Sequence, residues 1–138
     1  MIQRLSRFSI FVLNQDEAKD FYVNKMEFDL RSDVQAGNLR WLTVSPKGQS
    51  DVQLVLLPIK FNNRIDDAAA ATIKKLLSEG QMPTHVLSTS DCQKTYEELS
   101  AKGVEFVSPP KEQYYGVEAV LKDPFGNRYS LTQPKGSE

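Results

Sequence analysis

The chain has 138 residues, 40% of them hydrophobic, which is the length and composition of one compact domain with a single core. Lys and Arg total 17 against 18 Asp and Glu, so a net charge of −1 gives no electrostatic case for nucleic acid or for an anionic membrane surface. The one cysteine, Cys92, excludes an internal disulfide; with no apolar run of transmembrane length and no signal-peptide pattern in MIQRLSRF, the expectation is a soluble, cytoplasmic protein that spans no membrane.

Residues 7–13 (RFSIFVL) read as a first strand, rich in Phe, Ile and Val. Asn14 or Asp16 then opens a helix running to about Lys25, with Ala18, Phe21 and Tyr22 as its apolar stripe. Strands follow over 28–35 and 39–45, Pro46-Lys47-Gly48 turns the chain, and 52–57 closes this half. A connector spans 58–83. Its centre, 66–79 (DDAAAATIKKLLSE), predicts a helix: Asp66 is the N-cap, the alanines favour helix, and Gly80 stands just past the end. Ile73, Leu76 and Leu77 give it one apolar side. Two readings stand for it, a surface helix joining two halves or a lid over a binding cavity.

The pattern then repeats. Residues 85–89 form a strand, 91–102 a helix ended by Gly103, and 104–107 a strand. The stretch 114–133 (YYGVEAVLKDPFGNRYSLTQ) supplies two more strands, 117–122 and 128–132. Between them lies the turn Asp123-Pro124-Phe125-Gly126-Asn127: proline presets φ, glycine accepts positive φ, and Asp and Asn bond the local backbone. A lone hairpin buries too little apolar surface to stand by itself, so this one closes a larger unit. An offset of 78 residues relates Arg7 to His85, Glu27-Phe28 to Glu105-Phe106, Arg40 to Glu118, Pro46 to Pro124 and Gly48 to Gly126. One residue drops out in the turn, so Gln53 matches Ser130 at an offset of 77. Few pairs are identical; the signal is the in-phase recurrence of turns, helices and strands.

A doubled strand-helix-three-strand unit ending in a DPxGN hairpin resembles the vicinal oxygen chelate superfamily, the glyoxalase, bleomycin-resistance and extradiol dioxygenase group. FVLNQDEAKDFYVNKMEFDL, DVQLVLLP, YEELSAKGVEFVSPP and YGVEAVLKDPFGNRYSL carry the resemblance, which leaves out only the connector and the tail after Gln133. It implies an α+β fold of two tandem βαβββ units, a curved mixed sheet around a cavity, with unit one at 5–57, the connector at 58–83 and unit two at 84–133 of a single domain over 1–138. It also implies a homodimer. Metal-using relatives place a histidine on the first strand and a glutamate on the last strand of each unit. The matching positions here are Arg7, Gln53, His85 and Ser130, and only His85 keeps its type. Arginine has no lone pair to give, and neutral Gln53 and Ser130 lack the anionic oxygen a divalent ion prefers. No metal and no other cofactor is therefore expected.

Strand alternation applied to that cavity turns Arg7, Ser9 and Phe11 inward, with Gln53 and Val55, His85, Leu87 and Thr89, and Ser130 and Thr132. By the repeat, Arg40 and Leu42 match Glu118 and Val120. The expected ligand-binding set is Arg7, Phe11, Arg40, Gln53, His85, Glu118, Ser130 and Thr132, a mixture of apolar walls and a few polar groups suited to a small molecule. Each polar group has two readings. Arg7 either grips an anionic ligand group or pairs with Glu118; His85 is a polar orienter or base, or a satisfied interior histidine; Arg40 binds ligand or lies at a strand end in water. Cys92 sits at a helix start, where a thiolate would be favoured, but no base is placed beside it, which reads as an ordinary surface cysteine. The leading expectation is a metal-independent protein that binds a small, partly apolar or anionic molecule. The alternative is a lyase or dioxygenase-type enzyme with a rearranged metal site built on His85 and Glu118.

Overall fold

In the computed structural model, which describes residues 1–136, each half of the chain folds as strand, helix and three strands. The last two positions of the domain expected over 1–138 lie outside the described residues. The chain divides into two compact units, Met1–Lys75 and the remainder from Leu76. The first contains β1 (Arg7–Val12), α1 (Gln15–Lys19), a π-helical continuation of α1 (Asp20–Lys25), β2 (Asp29–Ala36), β3 (Leu39–Ser45) and β4 (Gln53–Pro58). Its sheet order is β1-β4-β3-β2, with β1 parallel to β4 and the other pairs antiparallel. Helix α2 (Asp67–Ser78) carries the boundary between the units. The second unit contains β5 (His85–Ser88), α3 (Cys92–Ala101), β6 (Glu105–Gln113), β7 (Gly116–Lys122) and β8 (Arg128–Pro134), in the order β5-β8-β7-β6 with β5 parallel to β8.

The helix starts follow from short polar side chains that accept orphan N–H groups. Asn14 Oδ1 accepts from Glu17 N at 2.8 Å, and Asp91 Oδ1 accepts from Lys94 N at 3.0 Å, the same cap at the same place in both units. Asp66 Oδ1 likewise accepts from Ala69 N at 2.8 Å. Helix α2 stops at Gly80, whose φ of +69° lets Gly80 N and Gln81 N return to Leu77 O and Leu76 O, a Schellman ending.

One strand runs past the bounds its sequence predicts. Residues 104–107 predict a short strand because Pro109 and Pro110 follow, yet β6 runs on to Gln113. It is an edge strand with register shifts on both sides of Ser108, and an edge tolerates prolines that a central strand would not. The turn after β7 is held from inside: Asp123 is 2% exposed, its Oδ1 accepts from the backbone N–H of Phe125, Gly126 and Asn127, and its Oδ2 accepts from Asn127 Nδ2 at 2.7 Å. Gly126 has φ +114°, and a Cβ there would stand 2.0 Å from Leu77 O, so the last turn of α2 rests directly on this turn. Leu77 is the buried residue of α2.

Each sheet packs one face against its own helix. In the first unit Ile10, Val12, Val44, Leu54 and Leu56 are buried, as are Ala18, Phe21 and Tyr22 on the helix. In the second, Ala119, Leu121, Tyr129 and Leu131 are buried, and Tyr96 of α3 meets Phe106 of β6 edge-to-face with ring centroids 4.7 Å apart. Cys92 lies in this layer. It is fully buried rather than on the surface; its Sγ contacts Leu131 O at 3.5 Å and burial pushes the thiol pKa up. Among the described residues no helix is long and apolar enough to cross a membrane.

Candidate functional site

Strand register decides which side chains share the sheet face that turns away from the helix. Residues paired across a ladder lie on one face, and an odd slip in the count moves a side chain to the other. In the first unit Arg7 pairs with Gln53, Ser9 with Val55, Phe11 with Leu57, and Val55 with Thr43. Arg7, Phe11, Gln53, Thr43 and, by alternation, Trp41 therefore share the open face. In the second unit Val86 pairs with Ser130, Ser88 with Thr132, Thr132 with Glu118 and Ser130 with Val120. Glu118, Ser130 and Thr132 share that open face, as expected.

Two placements differ from the sequence expectation. The residue matching Arg7 is Val86, one later than His85; the residue matching Glu118 is Thr43, three later than Arg40. Both slips are odd, so both expected side chains lie on the helix face. One constant offset of 78 set both matches, whereas the register relates Arg7 to Val86 and Thr43 to Glu118, so the spacing between strands is not the same in the two units.

Arg40 shows its face by its partners. Its Nε and Nη2 donate to Asp33 Oδ1 and Oδ2 at 2.8 and 3.0 Å, and its Nη1 donates to Asp16 Oδ1 of α1 at 2.6 Å. Lys19 Nζ also reaches Asp33 Oδ2, at 2.9 Å. The fork is filled by two carboxylates, and the Arg40 guanidinium, with help from Lys19, holds the Asp33 carboxyl well below the usual range. Arg7, by contrast, is exposed at the start of β1 and, among the described residues of its unit, makes no ion pair. Next to it on the sheet, Thr43 Oγ1 donates to Gln53 Oε1 at 2.9 Å, which leaves the Gln53 amide hydrogens as donors.

His85 is half-buried beside Tyr129, with ring centroids 5.4 Å apart. Burial lowers its pKa, against the opposing pull of the Asp123 carboxylate. On the other face, Glu118 Oε1 accepts from Tyr115 Oη at 2.6 Å and Glu118 Oε2 accepts from Ser130 Oγ; Ser130 Oγ in turn lies 2.8 Å from Thr132 Oγ1. The bond to Glu118 raises the Tyr115 phenol pKa. At the ends of β6, β7 and β8 is a cleft of about 390 Å³ walled by residues that include Glu112, Gly116, Gln133, Pro134 and Lys135. Tyr115, Thr43, Trp41 and Val86 were not in the expected set. Only the register exposes the last three, and Tyr115 is visible in sequence merely as a turn residue ahead of a glycine.

The donor set does not fit the metal of the metal-using relatives. With the register in place the four positions are Arg7, Gln53, Val86 and Ser130: a cation, an amide, an alkyl group and a hydroxyl. His85 and Glu118, the pair for a rearranged metal site, lie on opposite faces of their sheet. Among the described residues no three His, Cys, Asp or Glu side chains are grouped to hold a metal ion.

Comparison with known proteins agrees with this fold. The protein YurT of Bacillus subtilis (strain 168) is 38% identical over 126 residues, covering 91% of this chain and 94% of its own. The crystal structure of UcmS2 superposes with a TM-score of 0.91 at 40% identity, over 96% of this chain and 99% of that one. That of TnmS3, described as an antibiotic binding protein from Streptomyces sp. CB03234, superposes with a TM-score of 0.77 at 33% identity, over 97% and 98%. A family model described as Glyoxalase/Bleomycin resistance protein/Dioxygenase superfamily matches residues 4–131. Matched from ahead of its first strand into its last, the chain belongs to the Glyoxalase/Bleomycin resistance protein/Dioxygenase superfamily.

Proposed function

We propose that this protein binds a small, partly apolar molecule of the antibiotic type on the open faces of its sheets, without a metal ion. The observation that carries the reading is the register: it puts Val86 where the resemblance wanted a histidine, so none of the four family positions holds a histidine, a cysteine or a carboxylate. The similarity to TnmS3 supports the ligand class. Phe11 and Trp41 supply apolar contact on the first face, with Gln53 as its orienting polar group; Ser130 and Thr132 are the polar groups of the second. Arg7 is the group for an anionic oxygen of the ligand, through charge-assisted bonds. The protein acts as a binder that sequesters its ligand, as a homodimer in the cytoplasm. The dimer rests on the family resemblance, and a light-scattering mass near 15.6 kDa would speak against it.

Trp41, the one tryptophan, reports on the site directly. Titrating a panel of aromatic antibiotics should give saturable quenching of its fluorescence that is the same before and after dialysis against a chelator. Binding that disappears with the chelator and returns with zinc, manganese, nickel or iron would refute the metal-free reading.

A further inference from the structure

The hydrogen bonds on the open face of the second unit have a fixed direction. As a carboxylate, Glu118 only accepts. Tyr115 Oη and Ser130 Oγ each bond to it, so both hydroxyls donate. Ser130 has one hydrogen, already given to Glu118, so in its 2.8 Å contact with Thr132 the threonine is the donor. All three hydroxyl hydrogens are thus spent inside the chain Thr132–Ser130–Glu118–Tyr115. What remains is lone pairs: the unused ones of Glu118, and those on the three hydroxyl oxygens. Lys111, the register partner of Glu118 on β6, is exposed and makes no ion pair among the described residues. Tyr114 and Tyr115 stand beside the carboxylate as an edge-to-face pair, centroids 5.0 Å apart and 88% and 38% exposed, an aromatic surface next to an anion.

We infer that the bonded group Thr132–Ser130–Glu118–Tyr115 on this face is an acceptor subsite that selects a ligand carrying a hydrogen-bond donor, a protonated amine above all, on an aromatic or apolar ring, and that Glu118 is its specificity-determining residue. The inference rests on the binding function proposed above and names the chemistry of one part of the ligand. An anionic oxygen set against Glu118, Ser130 and Thr132 would meet lone pairs and a like charge, whereas an ammonium group finds a carboxylate already oriented by two bonds.

The test uses three naphthyl probes in calorimetric titrations: naphthylmethylamine, methylnaphthalene and naphthoate. The wild type should bind the amine at least about tenfold more tightly than methylnaphthalene; equal affinities would overturn the inference without help from any variant. Glu118→Gln, which keeps an acceptor for one of the two hydroxyls and removes the charge, should erase that preference and leave naphthoate no weaker. Glu98→Gln, which removes the same charge from the exposed side of α3, should hold the amine within about twofold. A Glu118→Gln protein that still prefers the amine, or a Glu98→Gln protein that loses it equally, would contradict the assignment. Failure of all three probes to bind would overturn the binding function together with this subsite, whereas indiscriminate binding would overturn the subsite alone.

Discussion

The two open sheet faces share a plan and differ in sign. In one, Arg7 on the first strand neighbours Gln53, and Thr43 donates to Gln53; in the other, Val86 neighbours Ser130, and Ser130 donates to Glu118. The hydrogen-bonded pair occupies the same two positions in each unit. The charge has moved, however, from the first strand to the third and from cation to anion. The first face offers donors, Arg7 and the Gln53 amide; the bonded group around Glu118 on the second offers acceptors. A repeated fold therefore fixes where polar groups stand, and the residue at each position decides what they recognise.

The largest expected effect separates the turns of the two units. Gly126→Ala should destabilise by about 3 kcal/mol or more, because the added Cβ overlaps Leu77 O in a buried turn. Gly48→Ala, at the matching turn, meets nothing within 4 Å and carries only the strain of φ +84°, about 1 kcal/mol. Equal losses in thermal melts would mean that the two turns are not as differently loaded as the contacts indicate.

Next comes the division of labour between arginines. Arg40→Met should lower stability by about 1 kcal/mol at neutral pH by removing the partner of Asp33. The Asp33 carboxyl has a folded pKa below its unfolded one, so its contribution is complete above the unfolded value of about 3.9 and is lost as pH falls below it. The difference between wild type and Arg40→Met should therefore shrink in melts taken at progressively lower pH. Arg7→Met should change stability by no more than about 0.5 kcal/mol while weakening naphthoate about tenfold. A marked stability loss at Arg7 would identify a structural arginine instead of a ligand group.

The smallest effect concerns His85. Its folded pKa lies below the ordinary 6.5, so burial of the neutral ring stabilises the fold above that pH, and the contribution is lost as pH falls through the unfolded value toward the folded one. His85→Phe should flatten this part of the stability profile without altering ligand affinity. A change in affinity would return His85 to the site.

Much of this was legible in sequence. The cap at Asp66, the one at Asn14 (offered together with Asp16), the stop at Gly80 and the DPFGN turn are local chemistry, and each forms as the residues dictate. The faces were legible only where the count was right. Gln53, Ser130, Thr132 and Glu118 sit on last or central strands close to well-marked turns, and they share the faces expected of them. His85 and Arg40 were placed by one constant offset, and a change in strand spacing from one unit to the other leaves no reliable mark in composition. Tyr115 joined Glu118 through a bond that depends on how the hairpin twists, which spacing alone does not encode.

Side-chain methyl spectra, recorded in excess chelator during titration with naphthylmethylamine, distinguish the faces residue by residue. Val86, Val120 and Thr132 belong to the open face of the second unit, and Leu87, Leu121 and Leu131 to its helix face. Metal-free binding on the open face should move the methyl signals of the first three and leave the other three nearly still. Shifts confined to Leu87, Leu121 and Leu131, or no shifts until a divalent metal is supplied, would contradict it.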